Sequence, residues 1–594
     1  MPHRFLIQNG HVRFDDRKHQ PQMKAVFQDG FSYITEQRGK KMKKLVGLFF
    51  KLSLVATIIA GCSSSNTTAP GNTSTPNTSN TTENKTESPQ KEKKVVYALP
   101  AEPETLDPTL NVYSRSSVVM QNLFRGLYKI NKDGQPVPSL ASDTQIDETG
   151  TKYTFKINPN AKWSDGKPVT AHDFEYSWKR VLNPDVASEA AFDLFYLKNG
   201  QNYNEGKATA DEVGVKAVDD QTLEVQLENP TTYFLNLLCA TSYYPVRKDV
   251  VDGNDGWTKT PETYLVTGPF MLTEIHPKQK YVLKKNPNYL EADKVQLDTL
   301  EIVFIEAAEA ELAAYTNGEI DVSDNMNNES MQKYKDSPEY FAADRIGTYY
   351  FDYNTSVKPF DDARVRKAFA ISINREQIVR NVLQSTEKLA YGFVPYGMPD
   401  LVDPSKEYRD VVGDLFKEDV AEAKRLLAEA GYPDGKGLPE IEFMTMSGQT
   451  DRDIAQALHS MWKENLGVEV TINILESKIY WDEMRMGNFM IARDGWTGDY
   501  LDPMTNLTLF ETVNAADGPR WSNKEYDALL QENREIQDQA KRSANYAKAE
   551  KILMDEMPVF PLYFYQDTYL AKPHVKGVMK NYIGHTYFEY AYIE

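Results

Sequence analysis

The chain is poor in the side chains that carry covalent and metal chemistry. Its 594 residues include two cysteines, Cys62 and Cys239, and eight histidines. The five histidines beyond residue 61 (His172, His276, His459, His574 and His585) show no HExxH spacing and no close pair, so local sequence supplies no zinc site. No G-x-S-x-G elbow is present to expose a nucleophilic serine, and no catalytic residue is assigned. Positive charge is scarce as well. Against 86 Asp and Glu stand 67 Lys and Arg, and because 4 and 11 of these precede Cys62, the remainder carries a net charge of −26. Charge of that sign argues against nucleic acid or an anionic membrane surface as a partner. Long apolar runs are missing too: Leu45 to Phe50 and Leu52 to Ala60 fall well short of the roughly 20 residues that span a bilayer.

Those short runs still carry information. Lys43, Lys44 and Lys51 surround them, and the second ends in Ile59-Ala60-Gly61-Cys62, small residues directly before a cysteine. The arrangement resembles a bacterial lipoprotein signal, which implies cleavage before Cys62, a diacylglycerol on its thiol and an extracytoplasmic protein held on the membrane of a single-membrane bacterium. Met42 is the expected start, 42–61 the signal peptide, and residues 1–41 an extension without a role. Cys62 to Lys94 is rich in Ser, Thr, Asn, Pro, Lys and Glu and is expected to be a disordered linker. With Cys62 lipidated, Cys239 has no disulfide partner and is expected to pack in a core.

From Val95 the pattern changes. Val95 to Leu99 reads as a strand, as do the alternating segments Thr151 to Ile157 and Thr222 to Leu227. Between them Ala171 to Leu182 puts Phe174, Trp178, Val181 and Leu182 on one helical stripe, with Thr170 as N-cap. Asp361 to Gln384 and Lys417 to Ala430 read as amphipathic helices, and Lys524 to Glu556 as two more. Gly431 to Gly437 has the wrong spacing for a phosphate loop and reads as a helix stop and turn. Helices and strands interleave over a length that exceeds one core of about 250–300 residues, so an α/β protein of several domains is expected.

Eight segments give a more specific reading. Pro103 to Pro108, Asn122 to Tyr128, Lys162 to Ala171, Val266 to Phe270, Asn286 to Tyr289, Asn317 to Asp321, Pro359 to Phe369 and Gly495 to Pro503 together resemble the extracellular solute-binding proteins of peptide ABC importers, nearest the oligopeptide-binding subfamily. Most of them read as scaffold, with Asp165-Gly166 at a hairpin turn, Gly268-Pro269 at a tight turn, and Arg364 and Arg366 in helix-face ion pairs. The resemblance implies a two-lobed fold of the periplasmic-binding-protein type with a hinge and an extra domain in the first lobe. Lobe I would comprise 95–124, 247–346 and 567–594, the extra domain 125–246, and lobe II 347–566. It further implies a monomer that takes peptides with a free N-terminus, uses no cofactor or metal, and serves an ABC permease and its ATPases.

The segment around Trp496 stands apart. Met490-Ile491-Ala492 reads as a buried strand that the chain leaves through Arg493, Gly495, Trp496, Thr497 and Asp499, and binding residues gather at such strand ends. By the resemblance, Asp499 pairs with the peptide α-ammonium, Arg493 lies near the peptide and takes up carboxylate charge, and Trp496 walls the pocket. Gly495 and Thr497 complete the expected ligand-binding set, on a strand edge to which an extended peptide can add. The alternatives are a loop-capping Asp499, a surface ion pair for Arg493 and a core role for Trp496. Where some members carry an acidic residue this chain has Val112, and where some carry positive charge it has Leu383, Asp451 and Met484, which leaves peptide length open. Other ligands on the same fold (a nickel chelate, haem, a sugar or an opine) and a surface peptidase remain as alternatives.

Overall fold

A computed structural model describes residues 92–132 and 134–594. Cys62, the signal segment and the linker up to residue 91 lie outside the described residues. Among the described residues no helix is long and apolar enough to cross a membrane.

The period-two segments are strands. Lys152–Ile157 buries Tyr153, Phe155 and Ile157 and turns Lys152 and Lys156 outward. It lies in a four-stranded antiparallel sheet, with Ala141–Ile146 on one side and Thr222–Gln226 then Val215–Asp219 on the other. Helix Ala171–Leu182 packs on this sheet through Phe174, Trp178, Val181 and Leu182. A capping box closes its start, the Thr170 N–H donating to Asp173 Oδ2 at 2.8 Å. Trp163 is buried behind a turn in which the Gly166 N–H donates to the Trp163 carbonyl at 2.8 Å. Cys239 is buried and free, and desolvation raises its thiol.

The larger sheet has eleven strands. One end holds Phe270–His276, Lys280–Lys285, Thr299–Phe304, Lys94–Leu99 and Val322–Ser323; the other holds Val470–Leu475, Ile441–Met446 and Ile491–Thr497. Two long antiparallel strands, Tyr340–Tyr353 and Val559–Ala571, lie between them and belong to both ends. Aromatic pairs fill their inner stretch: Tyr349 stacks on Tyr563 with centroids 4.9 Å apart, and Phe351 on Phe560 at 4.6 Å. Midway the ladder breaks. Asp344 pairs with Gln566 and Thr348 with Phe564, so Arg345, Ile346 and Gly347 oppose Tyr565 alone. Within the break, the Ile346 N–H donates to the Tyr582 carbonyl at 2.9 Å and the Ile346 carbonyl accepts from the Gly498 N–H at 2.7 Å.

The C-terminal segment is held by buried charge. Glu589 receives Arg125 and Lys129, each at 2.6 Å, with side chains 1%, 3% and 9% exposed, and the Tyr289 hydroxyl donates to it at 2.6 Å. Desolvation pushes the Glu589 carboxyl up, but the two cations outweigh it and hold the group at about 2.

Two helical expectations change. The 361–384 pattern divides into Ala363–Ile371 and a wide-wound turn, Gln377–Val382, because Asn374 starts a new element by accepting from the Gln377 N–H at 2.7 Å. Arg364 pairs with Asp362 at 2.5 Å. Among the described residues Arg366 makes no helix-face ion pair; it is buried and donates to the carbonyls of Phe360, Glu556 and Met557. The last two end helix Gln539–Glu556, whose terminal carbonyls need donors.

Candidate functional site

The strand expected to end at Ala492 continues to Thr497. Arg493, Gly495 and Thr497 interrupt its apolar pattern, yet the antiparallel pairing of Gly347–Tyr353 with Ile491–Thr497 keeps it in the sheet. On its other side Ile441–Met446 pairs only as far as Ala492. Among the described residues, Arg493–Thr497 therefore has one open edge.

The hydrogen-bonding phase of that edge follows from the Gly498-to-Ile346 bond. Residues of an antiparallel strand alternate in the side to which they offer N–H and C=O, so Trp496 and Asp494 bond inward to Thr348 and Tyr350, while Arg493, Gly495 and Thr497 point to the open edge. The Tyr480 hydroxyl donates to the Arg493 carbonyl, and the Gly495 N–H donates to Asp494 Oδ1 at 2.7 Å. Among the described residues, the Gly495 carbonyl and both backbone groups of Thr497 have no such partner. The phenol of Tyr565 lies over the flat patch made by Gly347 and Gly495, where a Cβ at Gly495 would run into its hydroxyl.

Asp499 follows at the strand end. Its backbone is fixed: the Gly498 N–H is held by Ile346, and the Asp499 N–H donates to Thr505 Oγ1 at 2.9 Å. The next turn is capped by Asp502, which accepts from the Met504 N–H at 3.0 Å and pairs with Arg542 at 2.6 Å. Asp499 thus caps nothing; among the described residues its carboxylate accepts no hydrogen bond and meets no cation. The side chain is solvent-exposed, yet desolvation by surrounding protein, with the Asp193 carboxylate adding to it, pushes the group up to about 7. Exposure together with desolvation describes a concavity rather than a convex surface. Asp193 itself is pushed up to about 6, chiefly by desolvation. Tyr500 stacks on Tyr233 with centroids 4.1 Å apart, and Tyr196 meets Tyr233 edge-on. Tyr196, Tyr233 and Asp193 come from far away in the chain and carry no local sequence signal.

The remaining expected residues divide between the two faces of the strand. Arg493 does not sit in an exposed ion pair: its Nε donates to Asp451 Oδ1 at 3.0 Å, and its guanidinium lies over the Tyr349 ring at 4.6 Å. Burial alone would lower the Arg493 pKa, but Tyr349, Tyr565 and Asp451 outweigh it and raise it. Trp496 is on the opposite face, half-buried against the core, with its indole N–H buried and unpaired. Cys62 lies outside the described residues.

Two sheet ends joined by paired crossing strands, with an open strand edge and a concave carboxylate beside the crossing, define a two-lobed binding protein of the periplasmic type. The chain belongs to the bacterial extracellular solute-binding proteins, family 5, whose middle-region model matches residues 135–517. It is 37% identical to the oligopeptide-binding protein OppA of Bacillus subtilis over 504 residues, 83% of this chain and 91% of that protein. The solved structure of the periplasmic murein tripeptide-binding protein MppA in its unliganded open form superposes with a TM-score of 0.76 at 34% identity, covering 85% of this chain and 98% of that one. Listeria monocytogenes OppA bound to peptide gives 0.64 at 28% identity, covering 85% and 99%.

Proposed function

We propose that this chain is the receptor of a peptide ABC importer, capturing peptides with a free N-terminus between its lobes and presenting them to a membrane permease driven by ATPases. The observation that carries this reading is the open Gly495–Thr497 edge ending at an unpaired, concave carboxylate. Main-chain bonds hold an extended peptide whatever its sequence, and Asp499 supplies a charge-assisted anchor for the α-ammonium. The similarity to the oligopeptide-binding OppA and the murein tripeptide-binding MppA accords with it. Lobe boundaries at 346/347 and 566/567 are supported by the ladder break at Arg345–Gly347 and Tyr565, about which closure occurs.

Backbone N-methyl scanning of a tight-binding peptide tests the edge. A methyl on an amide that bonds to the Gly495 or Thr497 carbonyl is expected to cost about 1 kcal/mol or more, roughly fivefold in Kd, and the neighbouring outward amide almost nothing. A flat profile in calorimetry would dismiss strand addition.

The lipid anchor belongs to the same proposal. Acyl chains at Cys62 and a polar linker keep the receptor close to its permease, raising effective concentration without a new contact. Cys62→Ala is expected to move the protein from the membrane fraction to the medium of its native cells; retention on the membrane in fractionation would rule the anchor out.

A further inference from the structure

The cleft arginine is matched by an acid from another element. Asp451 lies in the first turn of helix Gln449–Leu466, and its Oδ1 accepts both from Arg493 Nε at 3.0 Å and from the Tyr349 hydroxyl at 2.7 Å. The two side chains are 17% and 12% exposed, and the guanidinium lies over the Tyr349 ring. Arg493 and Asp451 are thus a fixed, mostly buried and net-neutral pair.

Its place along the strand gives the pair a consequence. Arg493 is four residues before Thr497, about 13 Å at ~3.3 Å per residue. A peptide anchored at Asp499 and running antiparallel along the open edge reaches Arg493 with its fourth to sixth residue. A chain terminus there would bring its carboxylate to the guanidinium and, in the same step, beside the Asp451 carboxylate, whose repulsion offsets much of the attraction.

We infer that Asp451 is a specificity-determining residue that silences Arg493, so that affinity does not depend on where the peptide ends. The inference rests on the peptide-binding reading above and deepens it. Longer peptides pass the pair without loss, and short ones gain nothing from a terminal charge.

Calorimetry with peptides of three to seven residues, each as free acid and as C-terminal amide, tests this on the wild type and on Asp451→Asn. Asparagine keeps an acceptor for Tyr349 and Arg493 while removing the charge. Wild-type acid and amide are expected to agree within about threefold at every length, whereas Asp451→Asn is expected to prefer the acid by about tenfold or more at one length. Adding Arg493→Gln to Asp451→Asn is expected to abolish that preference. A tenfold acid preference in the wild type overturns the inference without any variant, and so does an unchanged acid-to-amide ratio in a folded Asp451→Asn protein. Failure of every peptide to bind the wild type overturns the peptide-binding reading and this inference with it; binding with a strong acid preference overturns this inference alone.

Discussion

Asp499→Asn is expected to weaken peptides with a free α-amino group by about 1.5–3 kcal/mol, on the order of 10- to 100-fold in Kd. N-acetylated peptides should bind wild type and variant alike, because neither pairing offers an ammonium. Calorimetry on the four combinations decides it: equal loss for both peptide forms would make Asp499 a structural residue. The pH profile gives a second readout. Held at about 7 in the unliganded protein, Asp499 must release a proton to hold an ammonium at lower pH. Wild-type affinity is therefore expected to rise from pH 5 to about 7 and to fall above about 8, where the α-amino group deprotonates. The asparagine variant keeps only the alkaline limb. Stability follows the opposite sign. A carboxyl raised from 3.8 favours the fold below its unfolded value and loses that contribution as pH rises through about 7. The variant is therefore expected to melt higher than wild type at pH 8 without ligand, and at the same temperature at pH 4.

Glu589→Ala is expected to cost about 3–5 kcal/mol of stability, because it leaves Arg125 and Lys129 buried with most of their counter-charge gone. Glu589→Gln should fall between, since it still accepts from Tyr289 and the two cations without neutralising them. Denaturant unfolding at pH 7 measures both, and a loss below about 1 kcal/mol for alanine would show that the cluster relaxes or hydrates. The pH dependence has the usual carboxylate sign: held at about 2 against 4.5, Glu589 contributes its stability above 4.5 and loses it as pH falls through about 2.

Local signals in the sequence were read correctly where the structure they specify is local. The stripe Phe174, Trp178, Val181 and Leu182 with Thr170 before it encodes one helix and its cap, and Ala171–Leu182 is that helix. The strand Ile491–Thr497 is longer than its apolar pattern because its last five residues are held by pairing with Gly347–Phe351, about 145 residues away, and pairing at that distance leaves no periodic trace. Arg366 was misread for a related reason: a helix-face arginine looks alike whether it meets a carboxylate or the carbonyl end of a distant helix. The proposed role of Asp499 draws on its neighbours in the Gly495 to Pro503 segment. Asp451 as the partner of Arg493 was not legible, since the two meet only after the sheet and helix Gln449–Leu466 are assembled.

The bonds at Ile346 tie the ladder break to the residue before Asp499. In the ladder break the Ile346 N–H donates to the Tyr582 carbonyl of the C-terminal segment, and the Ile346 carbonyl accepts from the Gly498 N–H, one residue before Asp499. A rotation about Arg345–Gly347 would turn both peptide units of Ile346 and carry Gly498 with them. On the proposed reading, hinge motion about the break would therefore re-aim Asp499 as the halves move.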